Sequence, residues 1–164
     1  MYKRQSYGTA IVGNVFESII NFGPEVVFES ANTSNIGETY DSTNNKVVIA
    51  YRDGGNSNYG TAIVGTVSGT SISFGTAVVY NSRNNNAYSI AYNSSINKIV
   101  IPYSYSGGTD KTGVIIGTVS GTSISFGSPI VMYPATSPAK MATAYDPDTN
   151  QVVIAYNDAA YDNS

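Results

Sequence analysis

The side chains that could do chemistry in this chain are almost all carboxylates. Its 164 residues include eleven Asp and Glu, eight Lys and Arg, and neither His nor Cys. Imidazole acid–base catalysis and thiolate nucleophiles are therefore excluded. Serines are plentiful, but none sits in a G-x-S-x-G turn and no His is present to activate one. What is left is chemistry run by paired carboxylates, as in glycoside hydrolysis, which needs two acids within about 10 Å of one another. Most of the acids do not suit it. Asp41, Asp53, Asp146, Asp148, Asp158 and Asp162 lie in stretches rich in Asn, Ser and Gly, where an Asp side chain usually bonds the backbone of its own turn. Glu38, in the segment expected to be the innermost strand, is the first carboxylate to consider, and its simplest role is to face water. The expectation is a protein that is not an enzyme and uses no cofactor.

Two further motifs invite ligand readings. DPDTNQ (146–151) places Asp146, Asp148 and Asn150 at alternate positions, like the start of a calcium loop, but lacks the central Gly and the distant bidentate Glu. It aligns with DSTNNK (41–46) and NSSINK (93–98), so all three read as one hairpin turn and no metal is expected. GGNSNYG (54–60) is Gly-rich, yet no helix follows to cradle a phosphate. Net charge is −3, and only Lys3 and Arg4 are adjacent cations. A basic stripe for nucleic acid is missing. MYKRQSYGTA has no apolar core for a signal peptide, and no apolar run approaches the ~20 residues that span a bilayer. A soluble protein is expected.

The elements that would hold these side chains repeat. GTVSGTSISFG occurs at 65–75 and again at 117–127, with a worn copy, GNVFESIINFG, at 13–23. Phe22, Phe74 and Phe126 keep a period of 52, as do Tyr40 and Tyr92 or Tyr51 and Tyr103; Tyr145 and Tyr156 come one residue late. The extra residue falls in the Pro-rich MYPATSPAK, a loop able to absorb it. Each unit carries four strand-like segments joined by turn residues, in the middle unit TAIVGTV (61–67), SISFGTAVVY (71–80), AYSIAYN (87–93) and KIVIPYS (98–104). No window keeps a 3.6-residue apolar period, so no substantial helix is expected.

KVVIAY, KIVIPY, QVVIAY and TAIVG are apolar without alternation, which marks strands covered on both faces. Four-stranded units of this length with covered inner strands describe the blades of a β-propeller. Small residues at Gly37/Thr39, Ser89/Ala91 and Ala142/Ala144 suit the crowded strand nearest the axis, where Glu38 stands in place of Ile90 and Thr143. Pro102 replaces Ala50 and Ala155 in an interior strand, and a local bulge is expected there.

The fold class is thus all-β: a tail (1–6) and three blade repeats (7–58, 59–110 and 111–164). The first unit opens with a third strand and the last closes with a second. Three blades are too few for a ring, and raw strand edges invite pairing. The expected assembly is a homodimer, a six-bladed ring closed by pairing the C-terminal strand of one chain with the N-terminal strand of the other. The competing architecture is a monomeric β-trefoil or β-prism, against which the absence of Trp counts. YDSTNNKVVIAYRDGGNSNYGTAIVGTVSGTSISFG resembles the propeller repeats encoded by marine viruses, cyanophages in particular, and the resemblance runs over residues 7–163. It implies the propeller fold, assembly from partial rings and a virion-associated setting. No activity or site residues come with it.

In such a blade, the turns after the second and fourth strands emerge on one face. Here they are longer and more varied than those opposite, and they carry Arg52, Asp53, Asn58, Arg83, Tyr105, Asp110, Asp158 and Tyr161. Tyr, Asn, Asp and Arg on a rigid scaffold suit the ring faces and hydroxyls of sugars. A non-catalytic binding module, glycan- or receptor-directed, is the expectation. Its alternative is a purely structural or engineered repeat protein with no ligand.

Overall fold

The computed structural model describes residues 6–86, 89–105, 112–132 and 140–157. Among them the chain is all-β, with no helix. Strands β1 (Gly8–Ala10) and β2 (Gly13–Phe16) return as β3 (Ile19–Phe22) and β4 (Val26–Glu29), β1 pairing with β4 and β2 with β3. A complete antiparallel sheet follows: β5 (Thr33–Asp41), β6 (Lys46–Asp53), β7 (Tyr59–Ser68), then β8 (Ser71–Phe74) and β9 (Val78–Asn81), both on the far side of β7. The second complete sheet repeats that order. Its first edge is split into β10 (Asn85–Asn86) and β11 (Ala91–Asn93), followed by β12 (Lys98–Tyr105), β13 (Thr112–Ser120), and an outer edge of β14 (Ser123–Phe126) and β15 (Ile130–Val131). Last comes the hairpin of β16 (Met141–Asp146) and β17 (Gln151–Tyr156).

The sheets stack face to face, which accounts for the apolar runs without alternation. In β6, Val48 and Ala50 belong to the core shared with the second sheet, together with Ile90, Ile99, Ile101 and Tyr103. Ile49 and Tyr51, on the other face of the same strand, pack with Ala10, Phe28 and Phe74. Covered on both sides, the strand has no reason to alternate.

The three hairpin turns are built alike, as their sequences imply. Asp41 Oδ1 accepts from the Thr43 and Asn44 amides, Asn93 Oδ1 from Ser95 and Ile96, and Asp146 Oδ1 from Asp148. Asn45, Asn97 and Asn150 close the turns at φ 54°, 52° and 57°, the left-handed region that Asn tolerates. Each also accepts the hydroxyl of its own Tyr40, Tyr92 or Tyr145. The turns are bonded one to the next. The Thr43 and Tyr92 hydroxyls share a hydrogen bond, Asn44 Nδ2 donates to Asn97 and Asn93 Nδ2 to Asn150, and the Tyr145 and Ser95 hydroxyls share another.

Two expectations about strands are corrected. The segment 71–80 is not one strand, because residues 75–77 lie opposite only Ile63 and Val64 and break the ladder. Gly75 sits in that break, where a Cβ would lie 1.9 Å from the Thr122 carbonyl oxygen of the next unit. Pro102 causes no bulge in its own strand either. The β12–β13 register runs through the Pro102–Val114 pair without a shift. The neighbouring inner edge is irregular here, β10 ending at Asn86 and β11 beginning at Ala91, as it is opposite Ala50 in the first complete sheet, where the β5–β6 register shifts between Ser34 and Gly37.

Candidate binding face

The sheet ends gather part of the candidate set. Arg52 lies near the end of β6, opposite Gly60 of β7, which is itself opposite Asn81 of β9. The Asn58 carbonyl accepts the Asn85 amide at 2.9 Å, tying the 54–58 turn to the second sheet. Asn85 stands opposite Tyr105 at the end of β12, and the Arg83 guanidinium carbon is 4.7 Å from the Tyr105 ring centroid. Arg52, Asn58, Arg83 and Tyr105 therefore share one end of two stacked sheets. Asp110, Asp158 and Tyr161 lie outside the described residues.

Asp53 has a different employment. It is buried, and its Oδ1 accepts the Gly55 amide at 2.9 Å and the Asn56 amide at 3.1 Å. This is the Asx-turn arrangement that organises a loop rather than one aimed at a ligand.

Beneath the face lies an aromatic stack that the loop composition did not announce. Tyr80 and Tyr103 ring centroids are 5.8 Å apart, Tyr103 and Tyr105 6.0 Å, and Tyr80 and Phe126 5.6 Å. Burial pushes the Tyr103 hydroxyl above the usual phenol range, with Tyr105 adding to it and the Arg83 cation opposing. Burial does the same more strongly to Tyr80, whose hydroxyl donates to Asn85 Oδ1 at 3.2 Å. Among the described residues, Arg52 Nε, Asn81 Nδ2 and Asn85 Nδ2 are buried donors without an acceptor. Tyr80, Asn81, Asn85 and Tyr103 thus support the face. Their only sequence signal was the polar run NSRNNN following a Tyr.

A second concave surface lies on the opposite side of the first complete sheet. It encloses about 420 Å³ between Thr9–Gly13 and the outward face of β5 and β6, with Ile36, Glu38, Val47 and Ile49 on that face. Glu38 is the only carboxylate in its lining, so paired-acid chemistry has no second acid there. A shallower hollow runs over Ala142, Ala144, Val153 and Ala155 on the hairpin β16–β17. No helix among the described residues is long and apolar enough to cross a membrane. No protein-family model, no curated protein sequence and no solved structure matches the chain.

Proposed function

We propose that the chain is a non-catalytic binding module, half of a six-bladed β-propeller that two copies close, presenting the Arg83–Tyr105 face to a glycan or surface receptor. The observation that carries the assembly is an identity of letters. VVIAY at 47–51 pairs within the chain with TAIVG at 61–65. The same VVIAY recurs at 152–156 in β17 and the same TAIVG at 9–13 along β1 and β2. Neither of these has that partner among the described residues. In the known register, Val152 of one copy falls opposite Gly13 of the other and Tyr156 opposite Thr9. Val48 is fully buried, whereas the equivalent Val153 is 59% exposed. An exposed apolar edge of this kind is a template for a strand of matching sequence.

The two concave surfaces support the same reading. Ala142, Ala144, Val153 and Ala155 occupy the positions of Gly37, Thr39, Val48 and Ala50. Gly37, Val48 and Ala50 pack on the following sheet within the chain. The hairpin β16–β17 of a second copy would fill the groove over Ile36, Val47 and Ile49. Stacked four-stranded meanders favour a propeller over a trefoil or prism, whose strands do not stack this way. On the loop end, a cation over a tyrosine ring beside Arg52 and Asn58 offers both stacking and hydrogen bonding.

Light scattering after size exclusion tests the assembly. A mass twice that of one chain is expected, and a monomer at every concentration would overturn the ring. Titration against a glycan panel tests the binding face. Binding is expected to weaken about tenfold or more on Tyr105→Ala or Arg83→Ala, roughly the loss of one stacked contact. A dimer that binds nothing on the panel would favour a purely structural protein.

A further inference from the structure

We propose that Glu38 of one copy pairs with Lys140 of the other at each ring closure, so that charge selects which sheet edge docks on which. This rests on the two-copy ring proposed above. The inner junctions supply the geometry. Gly37 lies over Ser89 of the next unit, a Cβ there coming within 3.2 Å of the Ser89 Cα. The Thr143 amide donates to Ser89 Oγ at 2.9 Å, and Asn35 Nδ2 donates to Asn86 Oδ1 at 2.9 Å. Equivalent positions of successive units therefore face one another, with the side chain at Asn35 reaching into the following unit.

The residue equivalent to Asn35 in the third unit is Lys140, five before Tyr145 as Asn35 is five before Tyr40. Glu38 is equivalent to Ile90, which is buried between the two complete sheets. At the two inner junctions these positions hold Asn35 with Ile90 and Ala87 with Thr143, and no charge meets a charge. Only the closure brings a cation and an anion to them. Two to four residues of extended strand, about 7–13 Å, separate the backbone positions, a gap that a lysine and a glutamate arm span together.

The remaining acids near that end of the same face are already occupied. Asp53 Oδ1 holds its turn. Glu29 accepts the Ala31 amide through Oε1 and the Tyr51 hydroxyl through Oε2. The rest of the groove lining carries no ionisable group. A lone carboxylate closed into such a surface would be costly, and a partner of opposite charge offsets part of that cost. Both side chains are exposed in the single chain, so neither charge is needed to fold it.

The test is a charge exchange read by sedimentation equilibrium at low salt. Glu38→Lys and Lys140→Glu, each alone, are expected to dimerise at least about tenfold more weakly than the native chain, because like charges then meet at both closures. An equimolar mixture of the two should recover near-native affinity, since the mixed ring sets opposite charges at both junctions. The native dimer should weaken with added salt. Either variant assembling like the native chain, or a mixture no tighter than its components, overturns the pairing. A native chain that never dimerises overturns the ring itself. Should a charge reversal lose its melting transition, Glu38→Gln takes its place, with weaker dimerisation and a flatter salt dependence expected; unchanged values would overturn the pairing.

Discussion

At the scale of single residues, the chain uses its carboxylates as turn fasteners. Asp41 is 1% exposed; it accepts two backbone amides and, through Oδ2, the Asn44 side chain at 2.7 Å. Asp41→Ala strands those donors, and chemical denaturation should report a loss of about 2–3 kcal/mol. Asp146 performs the same service in solvent. The Thr149 hydroxyl and then the Asp148 amide hold its carboxyl below the ordinary Asp value. A depressed value in the folded state means that the contribution is present above the unfolded value and is lost as pH falls through the folded one. Thr149→Val should move the carboxyl upward toward the ordinary value in an NMR titration; an unmoved titration would mean that the hydroxyl bond does not form. That Asp41, Asn93 and Asp146 make one turn was legible in three aligned hexapeptides. That Asp53 holds a turn while Arg83 lies on Tyr105 was not, because both are loop residues of similar polarity until the strand ends bring partners to them.

At the scale of elements, the glycine after each repeated Phe decides how closely units approach. A Cβ on Gly23 or Gly75 would sit 1.9 Å from the carbonyl oxygen of Thr70 or Thr122, whereas on Gly127 its nearest neighbour is the Ile116 oxygen at 3.9 Å. Gly75→Ala should therefore lower stability by about 2 kcal/mol or more, as forced overlap with backbone does. Gly127→Ala should leave the stability of the free chain within about 0.5 kcal/mol, the usual range for an open site. In the proposed ring, the turn at Ser18 of the second copy takes the place of Thr70, so the same Gly127→Ala should weaken dimerisation. Equal effects of the two substitutions on folding would contradict the unit-to-unit packing described above.

At the scale of the whole molecule, β16–β17 and β1–β4 match in sequence the two halves of the complete sheets but are not paired with one another. Phe22 is 60% exposed while its repeats Phe74 and Phe126 are partly buried, and Ile20 is 47% exposed against 8% and 3% for Ile72 and Ile124. Val153→Arg, at the centre of the proposed closure, should yield a monomer of unchanged secondary structure. Circular dichroism and light scattering together check this, and a dimer surviving that substitution would move the contact elsewhere.

The sequence by itself determined the all-β class, the 52-residue period, the shared hairpin turn and the two-faced burial of strands such as VVIAY. The period is read from recurring letters, and the rest follow from local chemistry, from alternation or its absence and from Asn and Asp at turn positions, each written within a few residues. Only the tertiary structure decided where β8 gives way to β9, a break at Gly75 that recurs at Gly127 between β14 and β15. It alone decided that Pro102 sits in the β12–β13 ladder without a register shift, because the neighbour that a missing N–H would face depends on the strand order. The stack of Tyr80, Tyr103 and Tyr105 under Arg83 belongs to the same category. Its members span 25 residues of the chain, and the pairing of β10 with β12 brings the segment after Tyr80 beside Tyr105.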